Sequence, residues 1–172
     1  MRIAQVSPLW ESVPPKLYGG TERIVSYLTE ELVRQGHQVT LFASGDSVTR
    51  AKLEAPCQQA LRLNTGIFNR EAPLIQMMEQ VFASADQFDV IHSHLDFLAF
   101  SLSRRCRVPV VTTLHGRLDL PELVPVFRDF AELPLVSISD SQRRPLPQNW
   151  FTAKHQDPPS LSIRQALFAS QL

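Results

Sequence analysis

The sequence predicts an α/β fold, a Rossmann-like doubly wound parallel sheet, and three observations support this prediction. Short apolar segments alternate with amphipathic segments along the chain, which is the pattern of strands alternating with helices. The first strand, helix and strand form a βαβ unit, whose right-handed crossover makes its strands parallel. The chain has 172 residues, of which 44% are hydrophobic, so one domain can bury a core without disulfide bonds.

The first βαβ unit has clear boundaries. The segment Arg2–Val6 (RIAQV) is short, mostly apolar and followed by a Ser-Pro pair, as expected of a buried strand. From Thr21 the apolar residues recur at helical spacing, and Gly36 stands just after the last turn. Residues 37–44 (HQVTLFAS) then predict a second strand that ends at a Gly-Asp turn.

The same alternation continues to residue 139 and gives five predicted strands in all. Residues 48–69 have a mixed pattern that permits a hairpin, an irregular crossover or a mobile loop. The predicted helices cover 70–86, 97–105 and 121–133, and the further predicted strands cover 89–93, 108–114 and 134–139.

Composition disfavours several classes of protein. The 17 basic and 17 acidic side chains cancel, whereas a nucleic-acid binder usually shows a basic excess. The sequence contains neither a signal-peptide pattern at its start nor a run of about 18 apolar residues, so we expect neither export nor membrane spanning. The two cysteines, Cys57 and Cys106, need not form a bridge, which favours a reduced, cytoplasmic setting. The expected partner is a small molecule or another protein.

Two adjacent glycines, Gly19 and Gly20, lie between the first strand and the first helix. Ligands of open parallel sheets bind beyond the carboxyl ends of the strands, where this loop is expected. Glycine lets a phosphate approach backbone N–H groups at a helix N-terminus, although the pair is also compatible with a tight turn alone. Neither a G-x-G-x-x-G dinucleotide motif nor a P-loop motif is present. Asp46, which ends the second strand, is therefore interpreted as a turn residue.

The chain resembles the N-terminal domain of family 4 glycosyltransferases, retaining two-domain enzymes of GT-B fold. The resemblance spans residues 1–150 and rests on four segments: MRIAQVSPLWESVPPKLYGGTERIVSYLTEELVRQGHQVTLFASGDS, FDVIHSH, VPVVTTLHG and LVSISDSQR. It implies one half of a GT-B architecture and transfer of a sugar from a nucleotide diphosphate sugar to a hydroxyl acceptor, with retention and without a required metal. It also implies that this domain supplies mainly the acceptor site, while a C-terminal domain grips the nucleotide.

The resemblance assigns roles to three residues. Gly19 and Gly20 match the paired glycines that approach the donor diphosphate. His115 matches the histidine that lies close to the transferred sugar. A histidine donor placed there would favour the transition state over the ground state, because negative charge builds up as the diphosphate departs. The alternative for His115 is a loop histidine that bonds to backbone.

Two further histidines precede His115. His92 and His94 are two residues apart and share a face of a continuing strand. We expect His92 to point into the sheet packing, and His94 and Asp96 to line the cleft. Asp96 would then bind an acceptor hydroxyl or cap the next helix. A less favoured alternative is a zinc site built from the three histidines, which would make the protein a metal-dependent hydrolase.

Three other residues are candidates for the edge of the cleft. Lys16 and Tyr18 flank the glycine pair and suit a sugar or phosphosugar site, although surface decoration explains them equally well. Ser139 follows the last predicted strand and is expected in a cleft position.

The end of the chain departs from the family pattern. We expect the glycosyltransferase domain to cover residues 1–150, and residues 151–172 to be an atypical tail produced by truncation or a frame change. On this view the C-terminal nucleotide-sugar domain is missing or is supplied by a separate subunit, and the chain alone is inactive, because donor and acceptor must be held in one water-poor cleft. The alternative is a non-catalytic α/β ligand-binding or regulatory module.

Overall fold

The computed structural model describes residues 1–62 and 64–146, and the backbone of 151–154. Within this part the strands are β1 Arg2–Val6, β2 Gln38–Phe42, β3 Lys52–Glu54, β4 Val90–Ser93, β5 Val110–Leu114, β6 Leu135–Ser137 and β7 Phe151–Lys154. They form one sheet in the order β3-β2-β1-β4-β5-β6-β7, and every neighbouring pair is parallel. This is the strand order of a doubly wound Rossmann-like sheet, as predicted.

The helices run between the strands. They are α1 Gly20–Arg34, α2 Glu71–Ala83, α3 Phe100–Ser103, α4 Leu123–Asp129 and α5 Asp140–Arg143, with 3₁₀ turns at Ala85–Gln87 and Asp96–Ala99. Helix α1 ends where predicted, because Gly36 takes the left-handed conformation (φ 85°) that lets the chain leave a helix. None of the helices in the described residues is long and apolar enough to cross a membrane.

The core lies on both faces of the sheet. Side chains alternate between the faces along β1, so Ile3 packs with Leu28 and Leu32 of α1 while Ala4 lies in the cluster that contains α2. The α2 cluster is the larger one and includes four buried residues of that helix: Leu74, Met77, Met78 and Val81. Helices therefore cover both faces, as a parallel sheet requires.

Two strands lie outside the five that were predicted. Strand β3 falls in the ambiguous segment 48–69 and pairs in parallel with β2, so the connection is an irregular crossover and not a hairpin. Strand β7 pairs with β6, which carries the sheet four residues past the expected domain boundary at 150. Residues 155–172 of the expected tail lie outside the described residues.

Candidate functional site

A cleft of about 710 Å³ opens at the carboxyl ends of β1, β4 and β5. The strand order reverses between β1 and β4, so the cleft occupies the position where open α/β sheets bind ligands. Its lining brings together most of the predicted site residues: Tyr18, Gly19, Gly20, His94, Asp96 and His115.

The two glycines differ in what surrounds them. Gly19 has φ 153°, and a Cβ on it would lie 2.7 Å from Pro15 Cβ and 3.0 Å from Glu22 Oε2. Gly20 begins α1, where backbone N–H groups point out of the helix, and nothing lies within 4 Å of where its Cβ would be. Gly19 is therefore required by the turn itself, whereas the open space beside Gly20 is where an anion can approach.

Asp96 holds the loop that carries His115. Its Oδ1 accepts hydrogen bonds from the backbone N–H groups of His115 (2.7 Å) and Gly116 (3.3 Å). Burial raises the pKa of Asp96, although the two N–H groups act in the opposite direction. The carboxylate makes no helix cap, so the capping alternative is wrong, and binding of an acceptor hydroxyl stays a prediction. Asp96 itself has φ 49°, an uncommon conformation for a residue other than glycine.

The side chain of His115 belongs to a chain of hydrogen bonds that continues under the cleft. His115 Nε2 lies 2.9 Å from His94 Nδ1, and His94 Nε2 lies 3.1 Å from Gln5 Oε1. The other end of the Gln5 amide, Nε2, lies 3.3 Å from His92 Nδ1, and His92 Nε2 lies 2.7 Å from Thr113 Oγ1. As predicted, His92 is buried in the sheet packing while His94 reaches the cleft.

This arrangement disfavours the zinc alternative. The ring nitrogens of His92, His94 and His115 form hydrogen bonds with each other, with Gln5 and with Thr113. They do not converge on one point, as the ligands of a metal ion would. Nowhere in the described residues do three or more His, Cys, Asp or Glu side chains form a group that could hold a metal ion.

Two of the predicted edge residues lie away from the cleft. Lys16 Nζ lies 3.3 Å from a carboxylate oxygen of Asp46, and Lys16 is not among the lining residues. Ser139 Oγ accepts a hydrogen bond from the backbone N–H of Gln142 at 3.0 Å and thereby caps α5. Asp46 lies in the turn after β2, as interpreted from the sequence.

A group of acidic and basic side chains at the mouth of the cleft was not predicted from the sequence. The Arg62 guanidinium forms an ion pair with Glu11 and lies 5.9 Å from the centre of the Tyr18 ring. Glu22 is buried in the first turn of α1, and burial raises its pKa against the lowering effect of backbone N–H groups of Glu22 and Glu11. Arg62 lies in the ambiguous segment 48–69, so no periodic pattern placed it near the glycines.

Comparison with known proteins identifies the family. The family model described as Glycosyltransferase Family 4 matches residues 18–153. The chain belongs to glycosyltransferase family 4. The matched range contains Gly19, Gly20 and His115, and it extends into β7.

The chain is also similar to individual proteins. An uncharacterized glycosyltransferase of Methanocaldococcus jannaschii is 30% identical over 131 residues, covering 67% of this chain and 31% of that protein. MurG of Acinetobacter baumannii shares the fold with a TM-score of 0.56 at 13% identity, covering 92% of this chain and 46% of that one. AviGT4, a glycosyltransferase involved in avilamycin A biosynthesis, gives a TM-score of 0.48 at 19% identity, covering 83% of this chain and 37% of that one. The family 4 chain described here thus spans about a third of the curated relative's length.

Proposed function

We propose that the chain is the acceptor-side half of a glycosyltransferase that moves a sugar from a nucleotide diphosphate sugar to a hydroxyl acceptor with retention. The observation that carries the proposal is the cleft at the strand reversal, where the open N-terminus of α1 at Gly20 and the His115 ring line the same cavity. A helix N-terminus favours a diphosphate, and a histidine beside it can contact the sugar that the diphosphate carries.

The proposed reaction exchanges one bond for another at the anomeric carbon. The bond from that carbon to the diphosphate oxygen breaks, the bond to the acceptor oxygen forms on the same face, and the acceptor proton passes to the departing diphosphate. The charge that develops on the diphosphate is met by the N-terminus of α1 and by His115.

The carboxylates that line the described part of the cleft bear on how retention would be achieved. Asp96 accepts hydrogen bonds from the backbone N–H groups of His115 and Gly116, and Glu22 is buried in the first turn of α1. A double displacement needs a carboxylate that can attack the sugar. The Asp96 carboxylate is instead bonded to the loop that carries His115, which disfavours double displacement through it and leaves same-face transfer assisted by the diphosphate as the route we propose.

The same proposal covers the conditions of the reaction. Positive groups of the protein meet the diphosphate charge, so no metal ion is required. Both cysteines, Cys57 and Cys106, are unbridged, which fits a reducing, cytoplasmic setting. The nucleotide is held by a second domain, in the same polypeptide or in a separate subunit, and the 172 residues by themselves turn over no donor.

Release of nucleoside diphosphate from a panel of uridine, guanosine and adenosine diphosphate hexoses tests the proposal. We expect no release by the chain alone. We expect release when residues 1–153 replace the matching part of the Methanocaldococcus jannaschii relative, with the anomeric configuration retained in the product by NMR. A His115→Ala chimera should lose about 10²-fold or more in kcat, the cost of one transition-state donor. Inversion, or full activity of that variant, would refute the proposal. A non-catalytic binding module would give a folded chimera without release.

A further inference from the structure

The hydrogen bonds below the cleft constrain where each histidine carries its proton. A neutral imidazole has one N–H donor and one acceptor nitrogen, and a glutamine side chain has a donor end and an acceptor end. Gln5 joins His92 to His94 through its two ends, with Nε2 towards His92 Nδ1 and Oε1 towards His94 Nε2. The two rings therefore cannot choose their tautomers independently of each other.

The orientation of the Gln5 amide decides which group donates and which accepts in every hydrogen bond of the series. Because the Gln5 amide donates to His92 Nδ1, the proton of His92 lies on Nε2 and is donated to Thr113 Oγ1. Because Gln5 Oε1 accepts from His94 Nε2, the Nδ1 of His94 is an acceptor and receives the Nε2–H of His115. All three neutral rings are then Nε2–H tautomers.

We propose that Gln5 is a positioning residue that locks His92, His94 and His115 into one shared tautomer, so that His115 donates through Nε2 to His94 and contacts substrate through Nδ1. A neutral His115 accepts a hydrogen bond from a substrate hydroxyl at Nδ1. Protonation of His115 places the second proton on the same atom, which can then donate to an anion. On His94 Nδ1 or His92 Nδ1, by contrast, a second proton would meet an N–H group.

Burial makes it costly for the rings to leave the tautomer that Gln5 imposes. The side chains of Gln5, His92, His94 and Thr113 belong to residues that are 0 to 4% exposed, so water does not replace a bond that is lost, and an unpaired donor is costly there. The Asp96 carboxylate fixes the backbone of His115 through its N–H, while His94 fixes the ring. Backbone and ring are thus held from two directions.

The sequence contains the pattern behind this arrangement. Residues two apart on a strand share a face, and on the α1 side of the sheet the three strands β1, β4 and β5 change from apolar to polar towards their carboxyl ends. Strand β1 runs Ile3 to Gln5, β4 runs Val90 to His92 and on to His94, and β5 runs Val111 to Thr113 and on to His115. Gln5 and His92 are also in register as neighbours.

Nitrogen-15 NMR of the histidine rings tests the inference on the chain as it is, at a pH well above the ordinary imidazole pKa of about 6.5. We expect Nε2–H signals for all three rings, and a coupling across the hydrogen bond between His115 Nε2–H and His94 Nδ1. Nδ1–H protons on the rings would mean that the amide is reversed, and would overturn the proposal.

Two variants and a control separate positioning from simple packing. In Gln5→Glu both ends of the side chain accept, so His92 should move its proton to Nδ1 while His94 and His115 keep theirs on Nε2. In Gln5→Met the lock is gone, and the two nitrogen signals of His94 and of His115 should move towards each other as both tautomers become populated. Thr112→Val, a buried change on the opposite face of β5, should leave every ring unchanged. Unchanged His94 and His115 signals in Gln5→Met, or an unmoved His92 proton in Gln5→Glu at a pH where the new carboxyl group is ionised, would refute the role of Gln5.

The effect of the shared tautomer on sugar transfer rests on the proposed function. Different results would refute the role of Gln5 and the proposed function. Ring signals that ignore Gln5 refute the lock whatever the activity is. Intact ring signals in a chimera that releases no nucleoside diphosphate refute the proposed function and leave the lock standing. In an active chimera, Gln5→Met should lower kcat more than it changes KM, because a ring with mixed tautomers binds but is less often in the productive state.

Discussion

The two glycines of the first loop can be separated by a matched pair of alanine substitutions. In Gly19→Ala the new methyl meets Pro15 Cβ at 2.7 Å and Glu22 Oε2 at 3.0 Å, at a φ of 153° that side chains rarely adopt. Backbone strain and overpacking each cost about 1–3 kcal/mol. Since the Pro15 loop can relax in part, we expect a loss of about 2–4 kcal/mol in the free energy of unfolding.

Gly20→Ala is the control, because it adds the same methyl to open space at the start of α1. Alanine restricts the unfolded chain and favours the helix, so the free energy of unfolding should rise by up to about 1 kcal/mol. Chemical denaturation measures both variants. For a chain of this size, the midpoint temperature of thermal unfolding should be about 5–15 °C lower in Gly19→Ala than in the wild type. A Gly19→Ala protein within about 0.5 kcal/mol of the wild type would contradict the steric reasoning.

Three further predictions concern charge and packing. The folded protein holds the proton of Asp96 more tightly than the unfolded chain does, because burial raises the pKa of this carboxyl group. Its contribution to stability therefore increases as pH falls from 7 through the raised pKa towards the ordinary value of 3.8. In urea titrations at several pH values, the stability of the wild type relative to Asp96→Asn should increase over the same window, whereas a constant difference would contradict this prediction. Arg62→Ala removes the ion pair with Glu11 at the cleft mouth, in which the Arg62 side chain is 50% exposed and the Glu11 side chain 12%. We expect about 1 kcal/mol of destabilisation, the upper end for a surface pair because Glu11 is mostly buried, and weaker binding of anionic ligands by calorimetry. Unchanged binding would remove Arg62 from the site. Phe127 is fully buried and meets Phe100 edge to face with ring centres 5.8 Å apart; Phe127→Ala should cost about 3–5 kcal/mol in the free energy of unfolding, and a cost under about 1 kcal/mol would mean that this end of the core is not packed as described.

Much of the fold could be predicted because strong local signals agree with the global arrangement. The apolar periodicity of α1 and the glycine that ends it are such signals, and β1 was placed without error at both ends. The strand in segment 48–69 could not be predicted, because β3 has three residues, of which one is exposed and two are intermediate in burial. A strand that short at the edge of a sheet has no apolar alternation to reveal it.

The candidate site was predictable only in part for a different reason. Gly20, His94 and His115 come directly before or after regular elements at one edge of the sheet, so topology alone brings them together. Lys16 and Ser139 also lie near that edge, but local bonds to Asp46 and to the backbone of Gln142 take up their polar groups. The sequence pattern does not show which polar side chains are already bonded to other groups of the protein.

The role of Gln5 could not be predicted from its own strand alone. It was counted as one residue of a mostly apolar strand, yet its polarity makes sense once the neighbouring strand places His92 beside it. Strand order and register turn three separate histidines into one connected group.

We expect the cleft beside Gly20 and His115 to receive the donor of a glycosyl transfer. Backbone and ring NMR of the isotope-labelled chain, titrated with uridine, guanosine and adenosine diphosphate hexoses, tests this claim most directly. For half of a two-domain site we expect weak binding, with a Kd on the order of 1 mM, and shifts concentrated at Gly20, Thr21, His94 and His115 for one nucleotide series, reduced in Gly20→Ala. Shifts confined to another surface such as α2, or no shifts with any donor at about ten times that concentration, would contradict the account.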